Sequence, residues 1–429
     1  MRIAVIGLGH IGLPLAVQYA SRGHTVVGAD LNPRIVDTLS RGTSPHLDEA
    51  EVIDAVAALV ADGSLRATTS TAEAVTAAEA VVVIVPVVVD AAREIDFGQI
   101  DAATRDVARS LTSGTLVVYE TTLPIGTTRD RFGPMLAEGS ALEMDRDFFL
   151  AFSPERVLVG RVLLDLRRYP KVVGGTSDES TRRAVEFYGA VLDVGTEIRS
   201  VANAETAEMT KLAETTYRDV NIALANEYAR HAARRGIDVL EVIAAANSQP
   251  YSHIHQPGVG VGGHCIPVYP HLLFNGEPGL GIPRLARDVN EGMAAFAVSL
   301  AEERIGSLRG QAVLVLGIGY RADVREDAFS SAFRLRDELR AAGAHVYGHD
   351  PYFSDEHLAR TGFQPYDLAA PVPVRVAILQ AGHRAYVELD PRAIPGLELI
   401  VDGRNVLDAA RYAEAGIGYV GIGHVGVGR

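Results

Sequence analysis

Several features that define other classes of protein are missing from this sequence. Its 429 residues include one cysteine, Cys265, so no intramolecular disulfide can form and a reducing compartment, the cytoplasm, is expected. The densest apolar run, AVVVIVPVVV, is interrupted by Pro86 and is shorter than the roughly 20 residues of a membrane helix. The apolar N-terminus is not followed by a small-residue cleavage site, which argues against a signal peptide. We therefore predict no transmembrane segment.

Basic charge and metal-binding spacings are also scarce. The chain has 40 basic and 54 acidic residues, a formal net charge of −14, which argues weakly against nucleic acid as a partner. The 13 histidines show no H-x-x-x-H or similar spacing with carboxylates, so no metal site is predicted.

What the sequence does contain is an alternation of short β-branched runs with helical patterns. In the first half the predicted strands are RIAVIG, HTVVGAD, AVVVIV, TLVVYE and FFLAF, and beyond about residue 300 they are AVLVLG, AHVYGHD, VRVAILQ and LELIVDG. From Asn203 more than 30 residues lack helix breakers, which predicts one long helix or two joined helices. The pattern predicts an α/β protein with two Rossmann-like, doubly wound domains joined by a long central helical segment, each with a parallel sheet covered on both faces.

A glycine pattern follows the first predicted strand. Gly7, Gly9 and Gly12 form G-x-G-x-x-G between a strand and a helix, and Asp30 ends the next strand. These glycines permit a tight turn, close approach to a pyrophosphate and close helix packing, while the helix N-terminus favours anions. Asp30 would bind ribose hydroxyls and repel an extra phosphate, so NAD rather than NADP is predicted. A turn of an α/β protein without a nucleotide is the alternative.

Cys265 lies in a glycine-rich segment, PGVGVGGHCIPVYP, beside His264. A free cysteine is usually a small buried apolar side chain. Here the glycines favour close approach of a ligand, and an exposed thiol near positive charge is a competent nucleophile. Combined with NAD, a thiolate could carry an alcohol through an aldehyde and a thioester to a carboxylate.

Longer motifs connect these features. The sequence resembles the UDP-glucose/GDP-mannose dehydrogenase superfamily, and among its branches the nucleotide-sugar 6-dehydrogenases of the UDP-N-acetylmannosamine type. The segments that carry the resemblance are VIGLGHIGLPLA, ETTLPIGTT, SPERVLVG, KLAETTYRDVNIALANE, QPGVGVGGHCIPVYP and VDGRNVLD. The resemblance implies oxidation of a nucleotide-sugar, a UDP-N-acetylhexosamine or UDP-hexose, at C6 to the uronic acid with two NAD.

The resemblance also implies roles for individual residues. Cys265 would be the nucleophile, Lys211 would stabilise oxyanions or move protons, and Glu155 with Thr122 would activate or orient water. The implied catalytic set is Cys265, Lys211, Glu155, Thr122 and Thr215; the cofactor set is Gly7, Gly9, His10, Ile11, Gly12, Asp30, Pro86 and Thr122; the substrate set is Glu155, Arg156, Lys211, Gly262, Arg321 and Arg404. Each role has a structural alternative. Lys211 could be a solvated helix lysine, Glu155 and Thr122 could be loop caps or turn residues, and Arg404 could form a surface ion pair.

Three positions depart from the family pattern. Thr215 stands where asparagine is usual, Tyr269 stands where aspartate is usual, and VPVVV at 85–89 replaces the usual V-P-T-P. Losing one catalytic hydrogen-bonding group can lower a rate by about 10²–10³-fold. A divergent enzyme with one or no net oxidation, and a silent nucleotide-sugar binder, are therefore the alternatives.

The resemblance also predicts how the chain is divided. Residues 1–200 form an NAD-binding Rossmann domain, 201–305 a central helical dimerisation segment with the cysteine loop, and 306–429 a UDP-sugar-binding Rossmann-like domain. The expected partners are a nucleotide-sugar, with a UDP-sugar favoured, and a second copy of the chain in a homodimer. No nucleic-acid or membrane partner is expected.

Overall fold

The structure is a computed structural model that describes residues 1–47, 49–90, 93–275 and 277–424. Two compact units divide the chain: the first comprises Met1–Glu214 and His271–Asn275, and the second holds the rest of the described residues. Each unit is built on its own mainly parallel sheet. The predicted α/β class with two Rossmann-like sheets and a central helix is confirmed.

The first unit contains an eight-stranded sheet in the order β10-β9-β8-β7-β4-β1-β2-β3. Its strands, with a separate two-stranded hairpin of β5 and β6, are β1 (Arg2–Ile6), β2 (Thr25–Ala29), β3 (Leu65–Thr68), β4 (Ala80–Val83), β5 (Val88–Val89), β6 (Ile95–Asp96), β7 (Leu116–Tyr119), β8 (Phe149–Phe152), β9 (Lys171–Gly175) and β10 (Ile198–Ser200). All five strands predicted for this half of the chain are present.

One strand pair departs from the parallel sheet that the alternation predicts. β9 pairs with β8 antiparallel, with Ala151 opposite Gly175 and Phe152 opposite Gly174, and β10 pairs parallel to β9. The first residue of β9, Lys171, therefore lies at the edge where β7 and β8 end. This reversal is what brings a lysine to the carboxyl edge of the sheet.

Helices cover both faces of this sheet. Ile3 and Val5 of β1 pack into one buried cluster, and Ala4 and Ile6 pack into another on the opposite face. Burial on both faces explains why the strands are continuous apolar runs. The helices are α1 (Gly12–Ser21), α2 (Pro33–Ser40), α3 (Ala50–Ala61), α4 (Thr71–Val75), α5 (Gly98–Ala108), α6 (Gly133–Ser140), α7 (Val162–Arg168) and α8 (Asp178–Val191), with a π-helix at Thr127–Phe132.

The predicted long helix is one continuous element, α9, which runs from Ala204 to Arg235 and contributes residues to both units. The helices after it are α10 (Val239–Ala246), α11 (Tyr269–Leu273), α12 (Gly281–Glu291), α13 (Met293–Ile305), α14 (Ser331–Ala341), α15 (Asp355–Arg360), α16 (Arg384–Val387) and α17 (Ala409–Glu414), with a 3₁₀ turn at Pro391–Ala393.

The second unit contains a six-stranded parallel sheet in the order β13-β12-β11-β14-β15-β16. Its strands are β11 (Ala312–Leu316), β12 (His345–His349), β13 (Gln364–Pro365), β14 (Val376–Leu379), β15 (Leu399–Asp402) and β16 (Gly418–Gly421). Val313 and Val315 face one buried cluster, and Leu314 and Leu316 face another, so this sheet is also covered on both sides.

Among the helices in the described ranges, none has both the length and the apolar character needed to cross a bilayer.

Candidate active site

The first glycine loop has the backbone geometry that its sequence requires. Gly7 has a φ of +99°, and a Cβ on Gly12 would lie 1.9 Å from the carbonyl oxygen of Gly7. Gly9, by contrast, has no heavy atom within 4 Å of the position its Cβ would take. Two glycines thus serve the turn and the helix packing, while the middle one leaves open space for a ligand.

The acid at the end of β2 is bound to this loop. The Asp30 carboxylate accepts hydrogen bonds from the backbone N–H groups of Leu8, at 2.9 Å, and Asn32, at 2.8 Å. The first turn of α1 has no side-chain cap on its N–H groups. An open glycine, uncapped N–H groups and a fixed carboxylate fit a dinucleotide, with phosphate at the helix end and ribose at Asp30.

These two glycines give a matched test of the nucleotide site. Gly12→Ala is expected to lower the free energy of unfolding by about 3 kcal/mol because its Cβ would overlap the backbone. Gly9→Ala should leave that free energy unchanged but raise the dissociation constant for NAD at least about tenfold, since the pyrophosphate needs the open space. Urea unfolding and NAD titration measure both. Unaltered NAD affinity of Gly9→Ala would argue for a nucleotide-free turn.

A second histidine beside the loop was missed by sequence reasoning. The ring of His46 lies 4.3 Å, between centroids, from that of His10, and its Nε2 donates to the Leu8 carbonyl oxygen at 2.8 Å. His46 belongs to the stretch between α2 and α3, which has no motif to mark it.

Pro86, assigned to the cofactor site by resemblance, is exposed after β4, and the neighbouring Val85 carbonyl accepts from the Thr121 hydroxyl at 2.7 Å.

A similar glycine loop, GIG at 317–319, follows β11 in the second unit, but its acid is held differently. Asp350 is fully buried and accepts from the backbone N–H groups of Ile318 and Gly319, at 2.7 and 3.0 Å, and from Nε2 of His383 at 3.1 Å. A further bond comes from the N–H of Tyr352. Asp350 therefore stabilises its own loop, whereas Asp30 is half-buried and accepts two bonds.

Three charged side chains meet at the carboxyl edge of the first sheet. Nζ of Lys171 donates to Oε2 of Glu120 and to Oε2 of Glu155, both at 2.8 Å. Glu120 follows β7 and Glu155 follows β8, and the hydroxyls of Tyr188 and Tyr19 donate to Oε1 of Glu120 at 2.6 and 3.2 Å. The two carboxylates share one ammonium in a site that is almost completely shielded from solvent.

The shared lysine gives the two carboxyls different proton affinities. Burial raises the pKa of Glu120 to about 7, although Lys171 favours its charged form. Burial also opposes the ionisation of Glu155, but the charge and hydrogen bond of Lys171 outweigh it and lower the pKa of Glu155 below its usual value. Near neutral pH Glu155 is therefore a carboxylate, the form that can accept a proton as a general base.

Lys211 and Arg156, both assigned by resemblance, lie beside Glu155. Nζ of buried Lys211, on α9, donates to the backbone carbonyl of Glu155 at 2.7 Å. Arg156 donates its backbone N–H to Oε1 of Glu155 at 2.7 Å, and its guanidinium contacts the Pro170 carbonyl and lies 3.7 Å from Oε2 of Glu214. The first unit therefore brings Glu155, Lys211 and Arg156 together.

Thr122 is buried in the segment after β7, which α9 fixes in place. Glu208 of α9 accepts from the backbone N–H of Gly126 at 2.6 Å and from the N–H and hydroxyl of Thr128 at 2.9 and 2.6 Å. Burial raises the pKa of Glu208 to about 7. Glu208 therefore binds the C-terminal part of the ETTLPIGTT motif, a contact that the motif did not reveal.

In the second unit, Cys265 is exposed on a loop whose backbone is well anchored. The carbonyl of Cys265 accepts from the N–H groups of Val268 and Tyr269 at 3.3 and 2.9 Å, and the N–H of Gly263 donates to the Ala328 carbonyl at 2.9 Å. His264, which sequence reasoning placed beside the thiol, lies 3.6 Å from the carboxylate of Glu326. The sulfur is therefore accessible on a fixed backbone.

The glycines around Cys265 have protein neighbours. A Cβ on Gly262 would lie 2.8 Å from Cβ of Tyr320, and one on Gly260 would lie 2.8 Å from Cβ of Ser331. These glycines permit close packing of the cysteine segment on the loop after β11 and on the start of α14. Arg321, in that same loop, is exposed, with its guanidinium 5.7 Å from the ring centroid of Tyr320.

Arg404 is not a surface ion pair. It donates from Nε to the Gln380 carbonyl at 2.6 Å, from Nη1 to the Gly260 carbonyl at 3.0 Å and from Nη2 towards Oγ of Ser331 at 3.5 Å. All three acceptors are neutral, and burial lowers the pKa of Arg404 to about 10. Such a guanidinium is suited to an incoming anion.

Two of the three departures from the family pattern, Thr215 and Tyr269, lie in the second unit. Thr215 is buried on α9, one residue before Thr216, whose buried hydroxyl oxygen has no hydrogen-bond partner among the described residues. Tyr269 begins α11 and is half-buried. Within the described residues, no cluster of three or more histidine, cysteine, aspartate or glutamate side chains could hold a metal ion.

Three models of one protein family match this chain. Residues 1–192 match the NAD binding domain of the UDP-glucose/GDP-mannose dehydrogenase family, 205–291 its central domain and 314–409 its UDP binding domain. The UDP-N-acetyl-D-mannosamine dehydrogenase of Pyrococcus horikoshii is 36% identical over 83% of this chain and 85% of its own.

Solved structures of related dehydrogenases have a similar fold. The structure of the UDP-D-ManNAc dehydrogenase from Pyrococcus horikoshii matches with a TM-score of 0.88 and 32% identity, covering 100% of both chains. The NDP-N-acetyl-D-galactosaminuronic acid dehydrogenase from Methanosarcina mazei Go1 matches with a TM-score of 0.86 and 32% identity, covering 98% of this chain and 95% of that one.

These matches confirm the resemblance, the NAD cofactor and the assignment as an oxidoreductase that acts on a nucleotide-sugar. This chain belongs to the UDP-glucose/GDP-mannose dehydrogenase family, as an NAD-dependent nucleotide-sugar dehydrogenase.

Proposed function

We propose that this protein oxidises C6 of a UDP-N-acetylhexosamine of the N-acetylmannosamine type to the uronic acid. The observation that carries the proposal is the exposed sulfur of Cys265 on an anchored loop. The names of the relatives, UDP-N-acetyl-D-mannosamine dehydrogenase above all, support an acetamido sugar.

The proposed reaction has two oxidations and one hydrolysis. The C6 alcohol first loses a hydride and a proton to give the aldehyde. The thiol of Cys265 then adds across the C=O bond, forming a C–S bond and passing its proton to oxygen. Loss of a second hydride and the hydroxyl proton gives a thioester, and water breaks the C–S bond to release acid and thiol. Bound NAD supplies the acceptor for each hydride, two per sugar.

Four residues are assigned to proton handling and charge stabilisation. Glu155, held ionised by Lys171, takes a proton from the attacking water, and Thr122 orients that water. Lys211 stabilises the oxyanion that develops at C6. Thr215 provides one hydroxyl in place of the usual amide.

Other residues are assigned to binding. Arg404, half-buried against neutral acceptors, pairs with a phosphate oxygen. Arg321, Arg156 and Gly262 are assigned to the nucleotide-sugar site by the family resemblance alone. Gly7, Gly9, Gly12 and Asp30 hold the dinucleotide, as their geometry fits, and the remaining assigned cofactor residues are His10, Ile11, Pro86 and Thr122.

A second candidate is an enzyme of the same family that oxidises once and stops. It is favoured by Thr215 and Tyr269, because the usual amide and carboxylate are both missing. A silent binder is motivated by the same substitutions, but the retained Cys265, Lys211 and Glu155 argue for catalysis.

The experiment that tests the proposal counts NADH against product. UDP-N-acetylmannosamine, with UDP-glucose, GDP and dTDP sugars as a panel, is incubated with enzyme and NAD, and the product mass is measured. We expect two NADH for each uronic acid formed. One NADH per aldehyde would support the single oxidation, and binding of UDP-sugar by calorimetry without NADH from any sugar would support the silent binder.

We further propose the domain assignment of residues 1–200 to NAD, 201–305 to dimerisation and the cysteine loop, and 306–429 to the UDP-sugar. Tyr217, Leu224 and Tyr228 lie on one face of α9 and are exposed, which supports a homodimer through that helix. Light scattering after gel filtration tests the homodimer by measuring the molar mass in solution.

The need for a free thiol supports a cytoplasmic location.

A further inference from the structure

A buried polar network in the second unit connects two helices to both ends of the cysteine loop, defined here as residues 258–267. Its centre is a bidentate ion pair: Nε and Nη2 of Arg287, on α12, donate to the carboxylate of Asp219, on α9, at 2.7 and 2.6 Å. Nδ2 of Asn290 donates to Oδ1 of the same carboxylate at 2.8 Å. Asp219, Arg287 and Asn290 are all almost completely shielded from solvent.

The network reaches the first end of the loop through Asn226. Nδ2 of Asn226 donates to Oδ1 of Asn290 at 2.8 Å, and Oδ1 of Asn226 accepts from the N–H of Gly258 at 2.9 Å. The amide of Asn226, itself fully buried, is thereby used on both its donor and acceptor sides.

The network reaches the other end of the loop through the arginine. Nη1 of Arg287 donates to the carbonyl of Pro267 at 3.4 Å, two residues beyond Cys265. One continuous path of hydrogen bonds thus runs from Gly258 to Pro267 through four buried side chains.

Burying a charged pair and two amides is an expensive way to fill a core, because apolar side chains of similar volume would serve stability equally well. What such a network does provide is one defined arrangement of the backbone atoms that it binds. Here those atoms belong to the segment that carries the only thiol in the chain.

We propose that Asp219, Arg287, Asn226 and Asn290 are positioning residues, which hold Cys265 where its sulfur can attack the aldehyde carbon. This inference rests on the proposed function. The first oxidation forms no C–S bond and does not need the thiol, whereas the second requires it within bonding distance. A displacement of about 1 Å can cost about 10²-fold in rate. Loosening the network therefore slows the second oxidation selectively.

The readout is the partition between aldehyde and acid. Loss of folded enzyme lowers both oxidations equally and leaves that partition unchanged, so a purely structural role does not move it. Arg287→Lys keeps the charge but loses the two-pronged contact with Asp219. The double variant Asp219→Asn with Arg287→Gln removes both charges and leaves no unpaired ion behind.

Each variant is incubated with UDP-N-acetylmannosamine and NAD while a hydrazine reagent traps aldehyde. We expect the ratio of aldehyde to acid to rise at least about tenfold in both variants. Arg334→Met is the matched control. Arg334, on α14, forms an ion pair at 3.0 Å with Glu291 of α12, the helix that also carries Arg287. That variant should keep the wild-type ratio.

The outcomes separate the two proposals. An unchanged ratio in Arg287→Lys, with acid formation abolished in Cys265→Ser, overturns the positioning role and leaves the proposed function intact. Absence of acid from the wild-type enzyme with every sugar overturns the proposed function and this inference with it. If the double variant does not fold, the ratio of aldehyde to acid in Arg287→Lys alone tests the positioning role.

Discussion

Replacement of Cys265 by serine is expected to lower uronic acid formation at least about 10³-fold, with no change in NAD affinity. A cysteine thiol is partly ionised near neutral pH and strongly nucleophilic, whereas a serine hydroxyl needs an adjacent base to attack a carbonyl. The sulfur is exposed on an anchored loop, so the exchange of one atom should not disturb the fold. Product mass and NADH counts measure the loss.

This substitution has an unusually clean control. Because the chain has no other cysteine, thiol titration of the unfolded variant should give zero, and any acid that forms cannot come from a substitute thiol. Cys265→Ala should show the same loss. Acid formation by Cys265→Ser at the wild-type rate would rule out covalent oxidation through residue 265.

The sequence predicts the elements of the fold better than their directions. Apolar runs and glycines identified the strands on either side of each nucleotide loop, since burial on both faces leaves a continuous apolar pattern. The antiparallel entry of β9 leaves no such pattern, because strand direction depends on how distant segments pack. Lys171 was missed for that reason: in the sequence it is a lysine between Pro170 and a run of valines.

In the candidate site, residues within motifs were predicted, whereas residues brought in by distant packing were missed. The residues assigned by motif include Glu155 and Lys211, which the structure places in contact. Glu120 gave no signal beyond the end of a strand, and its role became visible only with Lys171 between two carboxylates. Asn226 likewise lies 32 residues before the glycine that it binds, a separation that no local pattern reports.

Glu155→Gln is expected to slow acid release by about 10²–10⁴-fold, the contribution of a general base. An amide has nearly the size of the carboxylate but cannot take a proton from water. Both oxidations precede that step, so each site should produce a rapid burst of two NADH and then turn over slowly. The thioester on Cys265 should accumulate and appear as an acyl adduct in the intact mass.

This prediction is specific to Glu155 because it names the step that is slowed, hydrolysis of the thioester. Glu49 supplies the matched control, since it is also a buried carboxyl of the first unit and accepts from the N–H of Val162 at 3.0 Å. Glu49→Gln should give neither burst nor adduct. A Glu155→Gln enzyme that is slow without an adduct would move the defect to an earlier step, and one with full turnover would remove Glu155 from the hydrolysis. An adduct confined to Glu155→Gln would show that the Lys171-bound carboxylate acts after the second hydride has left, at a step where its lowered pKa keeps it ionised.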